Sequence, residues 1–190
     1  IYYRSKVEGD KTQKEFLTGW LNRVQRKEEY FKDWDKENTA TENKTYSFSQ
    51  ESLDKMKKVH PKLVEVIKAA IVGSPFDFRI TAGARTAEEQ FALYQIGRSK
   101  PGRIVTNCDG KRAKSNHQIK SDGFGHAVDI FPCGVIENGV YRKFTSEEGY
   151  DEKKLKLIAN HILAVAKSKN VNIEWGGNWK MNDTPHFELK

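Results

Sequence analysis

Gly125-His126-Ala127-Val128-Asp129-Ile130-Phe131 sets one carboxylate in the middle of a short apolar run. Ala127 to Phe131 reads as a strand. A carboxylate facing a core must be paired or bind a metal, because desolvating it alone is too costly. If Asp129 faces solvent instead, alternation puts Val128 and Ile130 in the core and no metal is required. The strand alone leaves both alternatives open. Outward from it stand Ser115-Asn116-His117 on one side and Asp183-Thr184-Pro185-His186-Phe187-Glu188 near the C-terminus. His, Asp and His are good ligands for a zinc ion that keeps one position for water. A further carboxylate beside the last His is where a hydrolytic base is wanted.

The flanking sequence predicts an α+β protein with a small, mostly antiparallel sheet flanked by helices. Ser47 or Ser49 caps a helix carrying Leu53, Met56 and Val59. Pro61 opens a second helix with Leu63, Val64, Ile67, Ala70 and Ile71 on its apolar side, and Gly73 ends it. Phe76 to Thr81 alternates like a strand. Thr86 to Glu89 has a capping-box pattern for a helix that reaches Ile96 and stops at Gly97. Arg98 to Gly125 shows no periodicity, and a loop this long in a compact domain is usually functional or mobile. Val135 to Tyr141 reads as a hairpin turning at Asn138-Gly139. A second capping box, Thr145 to Glu148, precedes a helix with Leu155, Ile158, Ile162 and Val165 on one stripe, capped by Asn170. Val171 to Trp175 and Pro185 to Leu189 supply the last strands.

The 190 residues fit one domain, here 46–190, with an extension over 1–45. In that extension Phe16, Leu17, Trp20, Leu21 and Val24 recur at helical spacing. The expected amphipathic helix packs on the main domain or binds a partner. Net charge is +7, the sequence pI is about 9.3 and mean hydropathy is −0.76. A basic surface suits any polyanion, including an anionic cell wall. No Lys/Arg block interleaved with aromatics favours nucleic acid, so no nucleic-acid partner is expected. No run is long enough to span a bilayer, and the first residues show no leader pattern. Cys108 and Cys133 lack C-x-x-C spacing, which leaves one disulfide or two free thiols open.

Taken together, Ser115-x-His117, Gly125-x-Ala127-x-Asp129 and Asp183-x-x-His186 resemble the zinc peptidases of the D-Ala-D-Ala carboxypeptidase and L-alanyl-D-glutamate endopeptidase family. Val59-His60-Pro61-x-Leu63-Val64, Ile80-Thr81-Ala82-Gly83-Ala84-Arg85-Thr86 with Glu89-Gln90, and Trp175-Gly176-Gly177-x-Trp179 agree with it. The resemblance spans about Tyr46 to Leu189. It implies a zinc D,D-peptidase/Hedgehog-like fold and Zn2+ held by His117, Asp129 and His186. It also implies Asp183 as the general base, with Glu188 as local competitor, and Arg85 stabilising the tetrahedral oxyanion. Ser115, Gln90, Glu188 and Trp175 are expected to touch substrate or to brace the site. The implied substrate is the stem peptide of peptidoglycan, and the implied place of action is the bacterial cell wall, periplasmic or extracellular, with a phage or virion origin possible in kind.

The segment from Trp175 to Trp179 tilts the expected bond toward L-Ala–D-Glu. D,D-carboxypeptidase action is the runner-up, and a non-catalytic wall or virion module is the reading from another class. One departure stands out. The common pattern is His-x-x-Gly-x-Ala-x-Asp, and here five additional residues separate His117 from Gly125. His126 thereby becomes a rival ligand, but it occupies a variable position of the pattern. Its odd offset from Asp129 also turns it to the other face of a strand. His60 and His161 are expected to be structural.

Overall fold

The computed structural model describes residues 45–190. The expected N-terminal helix, with Phe16 to Val24, lies outside the described residues. The order is α1 (Gln50–Lys55), α2 (Pro61–Ile71), β1 (Asp77–Ala82), α3 (Ala87–Gln95), β2 (Ala127–Glu137), β3 (Val140–Lys143), α4 (Ser146–Gly149), α5 (Glu152–Ser168), β4 (Ile173–Trp175) and β5 (His186–Leu189). A 3-10 turn, Gly176–Asn178, follows β4.

Local chemistry explains most of these boundaries. Ser49, not Ser47, caps α1 by accepting from Ser52 N. That helix stops at Lys55, so Met56 and Val59 are buried from the following turn rather than from the helix. Pro61 sits at the start of α2, where its missing N–H costs nothing. Gly73, at φ 75°, turns the chain after it. Both capping boxes form. Asn138 and Gly139 have φ of 51° and 75°, the paired positive values that a tight hairpin turn demands. The helix expected after Thr145 is two helices. Gly149 lies so close to the Phe131 ring that a Cβ there would sit 2.3 Å from it. The chain bends at this contact, and Asp151 caps α5 afresh through Lys153 N.

All strand pairs are antiparallel. The sheet runs β1-β2-β5-β4, and β3 extends the far half of β2. β2 is longer than Ala127 to Phe131 because Val135 to Glu137 continue it into the hairpin. α2 and α5 pack on each other and close the core against Phe78, Ile80, Val128, Ile130 and Phe187 of the sheet. Leu63, Ile67, Ile158 and Ile162 are fully buried there, each contributing roughly 1.5–3 kcal/mol by leaving water. Val128 and Ile130 therefore point into the core, and Asp129 between them points to the opposite face. The placement with Val128 and Ile130 in the core is the one observed, but the face that Asp129 occupies is a cleft rather than bulk solvent, and its carboxylate is paired there with Arg85, His117 and His186. Cys108 and Cys133 are free thiols. No helix among the described residues is long and apolar enough to cross a membrane.

Candidate metal centre and cleft

Strand register brings two of the expected residues together. Asp129 of β2 pairs directly with His186 of β5. On the other side, Ala82 of β1 also pairs with Asp129, and the register shift there makes a bulge at Thr81. Such bulges re-aim side chains beside functional sites. Thr81 Oγ1 donates to the Asp129 carbonyl at 3.1 Å.

His117 arrives from the long loop. Its carbonyl accepts from Arg85 N at 2.8 Å, and Ile119 N donates to the Arg85 carbonyl at 3.2 Å. These bonds tie the loop alongside the segment after β1. Gly125 makes the approach possible, since a Cβ there would lie 2.5 Å from the His117 carbonyl oxygen. Gly83 is required for the same reason, with the Lys55 carbonyl oxygen 1.9 Å from a Cβ built on it.

The three side chains form a nearly regular triangle. His117 Nε2 lies 3.1 Å from Asp129 Oδ1 and 3.3 Å from His186 Nδ1, and His186 Nδ1 lies 3.0 Å from Asp129 Oδ1. His117 and His186 are 2% and 6% exposed. The outer ring nitrogens fix the tautomers. His117 Nδ1 faces the Gly83 carbonyl at 2.7 Å, so it carries the proton. His186 Nε2 faces the Glu188 carboxylate at 3.1 Å, so it carries one too. In the neutral rings both inner nitrogens then aim lone pairs at a carboxylate oxygen. Only a cation or an added proton relieves that arrangement.

Electrostatics say the same. Burial by itself raises the Asp129 pKa, yet hydrogen bonds and charge from His117 and His186 hold it well below the usual carboxylate range. Burial lowers the His186 pKa, but Asp129 and Glu188 overcome this and push it up to about 9. Glu188 is desolvated, which raises its pKa. Bonds from His186, Asn116 and Lys190 nevertheless bring it down to about 2. Asn116 Nδ2 donates to Glu188 Oε2 at 2.7 Å.

The donors fit zinc. Tetrahedral Zn2+ with bonds of about 2.0–2.1 Å places its ligand atoms roughly 3.3 Å apart. Two imidazoles and one carboxylate are a donor set of zinc hydrolases, and a carboxylate behind a ligating His orients it and raises its basicity.

Arg85 Nη2 holds Asp129 Oδ2 at 3.0 Å, which leaves Oδ1 for the centre. Arg85 Nη1 donates to Gln90 Oε1 at 3.4 Å. Gln90 is fully buried and does not face the cleft; its amide donates to Thr106 Oγ1 at 3.2 Å and the Cys108 carbonyl at 3.0 Å. Ser115 Oγ accepts from His117 N at 3.3 Å. Glu188 backs His186 through Nε2 at 3.1 Å and also lines the cleft. Trp175 is 6% exposed and belongs to the core. Its indole N–H donates to the Thr184 carbonyl at 2.8 Å. Of its two expected roles, bracing is the one its position allows.

Asp183 stands at the mouth of the cleft. Partial desolvation, then the charge of Asp129, raise its pKa. Its backbone turn packs on Gly176, where a Cβ would meet the Asp183 carbonyl oxygen at 2.5 Å. Trp179, quoted above only as part of a motif, is a cleft residue: its ring lies 5.0 Å from that of His186. The spacing of Trp175 and Trp179 carried no signal for which one faces outward. The cleft is open, about 630 Å³, and is also lined by Lys114, Asn116, Phe131 and Tyr150. His126 is not part of the triangle; its Nε2 pairs with Asp122 Oδ2 at 2.6 Å. His161 bonds the Ala70 carbonyl and joins α5 to α2.

Comparison with known proteins points to one family. A family profile described as phage L-alanyl-D-glutamate peptidase matches residues 44–190. The peptidoglycan L-alanyl-D-glutamate endopeptidase CwlK of Bacillus subtilis (strain 168) is 31% identical over 126 residues, covering 66% of this chain and 68% of that protein. The crystal structure of the Serratia marcescens L-Ala D-Glu endopeptidase ChiX is similar with a TM-score of 0.54 and 26% identity, covering 79% of this chain and 94% of that one. A mostly antiparallel sheet with helices, a His-Asp-His triangle in its cleft and a match along the whole described unit lead to one conclusion: the chain belongs to the phage L-alanyl-D-glutamate peptidase family.

Proposed function

We propose that this protein is a zinc-dependent peptidase that hydrolyses the L-Ala–D-Glu bond of peptidoglycan stem peptides, acting at the bacterial cell wall. The observation that carries this reading is the triangle of His117 Nε2, Asp129 Oδ1 and His186 Nδ1, with edges of 3.0–3.3 Å. Those three residues would hold the ion. When bound, zinc supplies a Lewis acid that polarises a carbonyl and lowers the pKa of water toward neutrality.

The chain's own groups supply the rest. Gly83 and Glu188 keep the ligand imidazoles in the tautomers that leave their inner nitrogens free. Arg85 fixes Asp129 through one oxygen and brings positive charge to the wall where a tetrahedral oxyanion develops. Asp183, with its raised pKa, is suited to take a proton from the attacking water and to return one to the departing amine. Lys114 and Arg85 line the cleft and attract a substrate rich in carboxylates. Trp179 gives a flat apolar wall next to His186.

The experiment is mass spectrometry of products from defined muropeptides. Endopeptidase action yields fragments with a new D-Glu amino terminus. Loss of only a terminal D-Ala marks a D,D-carboxypeptidase, and intact substrate marks a non-catalytic wall module; either result rejects the proposal.

A further inference from the structure

A second trio of the same residue types stands outside the cleft. His60, Asp122 and His126 each offer one ligand atom, and these atoms all lie within 4.8 Å of one another. None of the three lines the cleft. They come from three segments: the N-cap of α2, the 118–124 loop and the residue before β2. Asp122 belongs to the five-residue lengthening between His117 and Gly125.

The carboxylate is already set for one-oxygen binding. Asp122 Oδ1 accepts from Phe124 N at 3.1 Å, while Oδ2 faces His126 Nε2 at 2.6 Å. Asp129 divides its oxygens in the same way between Arg85 and the triangle. The His60 and His126 rings meet edge to face with centroids 5.0 Å apart. His60 and His126 are partly buried, whereas Asp122 is exposed, so solvent is at hand to complete the coordination.

We propose that His60, Asp122 and His126 bind a second zinc ion, which staples the 118–124 loop to the start of α2. Two imidazoles and a carboxylate suit zinc, with water as the fourth ligand. Tetrahedral coordination needs ligand atoms roughly 3.3 Å apart. His60 Nδ1 accepts from Lys62 N at 3.2 Å, so ligation through Nε2 moves the ring proton to Nδ1 and releases that cap. The exchange gives up one backbone-to-ring hydrogen bond. The ion would hold the loop that hangs from His117 from its outer side. Lys120 N already donates to the Phe124 carbonyl there, and Gly125 is bonded to both Lys58 and His60.

The test uses the full 190-residue chain, stripped with chelator and titrated with zinc chloride, with bound zinc counted after gel filtration. The wild type takes up two ions per chain, one for each trio. Asp122→Asn, isosteric and on an exposed loop, weakens the second equivalent at least about tenfold, and His126→Gln does likewise. His117→Ala keeps the second ion and loses the first, so the two sites fail independently. In the wild type the second equivalent also slows tryptic cleavage after Lys120, and in Asp122→Asn it does not. Saturation of the wild type at a single zinc, or two ions retained in Asp122→Asn, overturns the proposal and leaves Asp122–His126 as an ordinary ion pair.

Discussion

The two His-Asp-His trios contain the same residue types but differ in how they are held. In the cleft, two of the three residues are cross-strand partners, Asp129 and His186, so sheet hydrogen bonds set their separation. Each outer nitrogen is bonded, to Gly83 and Glu188, and the donor atoms stand 3.0–3.3 Å apart. In the other trio the residues come from a helix cap, a loop and a strand approach, and no strand register sets the separation of their ligand atoms. The difference teaches where a reactive centre comes from. Ligand chemistry and a carboxylate divided between two partners are shared by both, whereas preorganisation by strand register and by outer ring nitrogens facing acceptors on both imidazoles belongs to one.

The largest expected effect follows from breaking the organised trio. His186→Ala removes a buried ligand, and peptide hydrolysis falls to the background rate together with bound zinc. Loss of zinc is read by atomic absorption. Asp183→Ala keeps the metal and lowers kcat by about 10²–10⁴-fold, the usual worth of a positioned acid–base group. Full activity in that variant removes Asp183 from its role. Glu188→Gln leaves His186 in place but weakens its brace, and zinc affinity drops about 10–100-fold. The corresponding change at the loosely held trio acts on the second ion alone.

A pH series sharpens the same contrast. In metal-free protein the His186 pKa lies at about 9 instead of 6.5. A raised folded-state pKa contributes stability that is complete below the unfolded value and fades as pH climbs through the folded one. Metal-free protein therefore loses Tm between about pH 6.5 and 9, while zinc-loaded protein does not, because the ion replaces that proton. Glu188 has the opposite sign. Its pKa of about 2, against 4.5, gives stability that is lost as pH falls from about 4.5 to 2. The smallest effect is Trp175→Phe, which deletes the N–H bond to Thr184, shrinks a core side chain and costs about 1–3 kcal/mol by thermal unfolding.

Much of this organisation is legible in the sequence, for identifiable reasons. Capping boxes at Thr86 and Thr145 and the Asn138-Gly139 turn are local, and local chemistry writes itself into neighbouring residues. The split between α4 and α5 is not local, because it depends on Gly149 meeting Phe131 of β2. Asp129 was ambiguous in the strand, since periodicity distinguishes two faces but not a cleft from solvent. The outward turn of Trp179 and the core position of Trp175 depend on a 3-10 turn that no spacing announces. The choice of His117 over His126 rests in the sequence on the family pattern and the strand offset. In the fold His126 is aimed at Asp122 and lies outside the triangle.

The most direct measurement is an anomalous difference map at the zinc edge from crystals of the zinc-loaded protein. The account predicts a peak at about 2.0–2.2 Å from His117 Nε2, His186 Nδ1 and Asp129 Oδ1. A cleft peak ligated by His126 with His117 unbound, or no peak between β2 and β5, would contradict it.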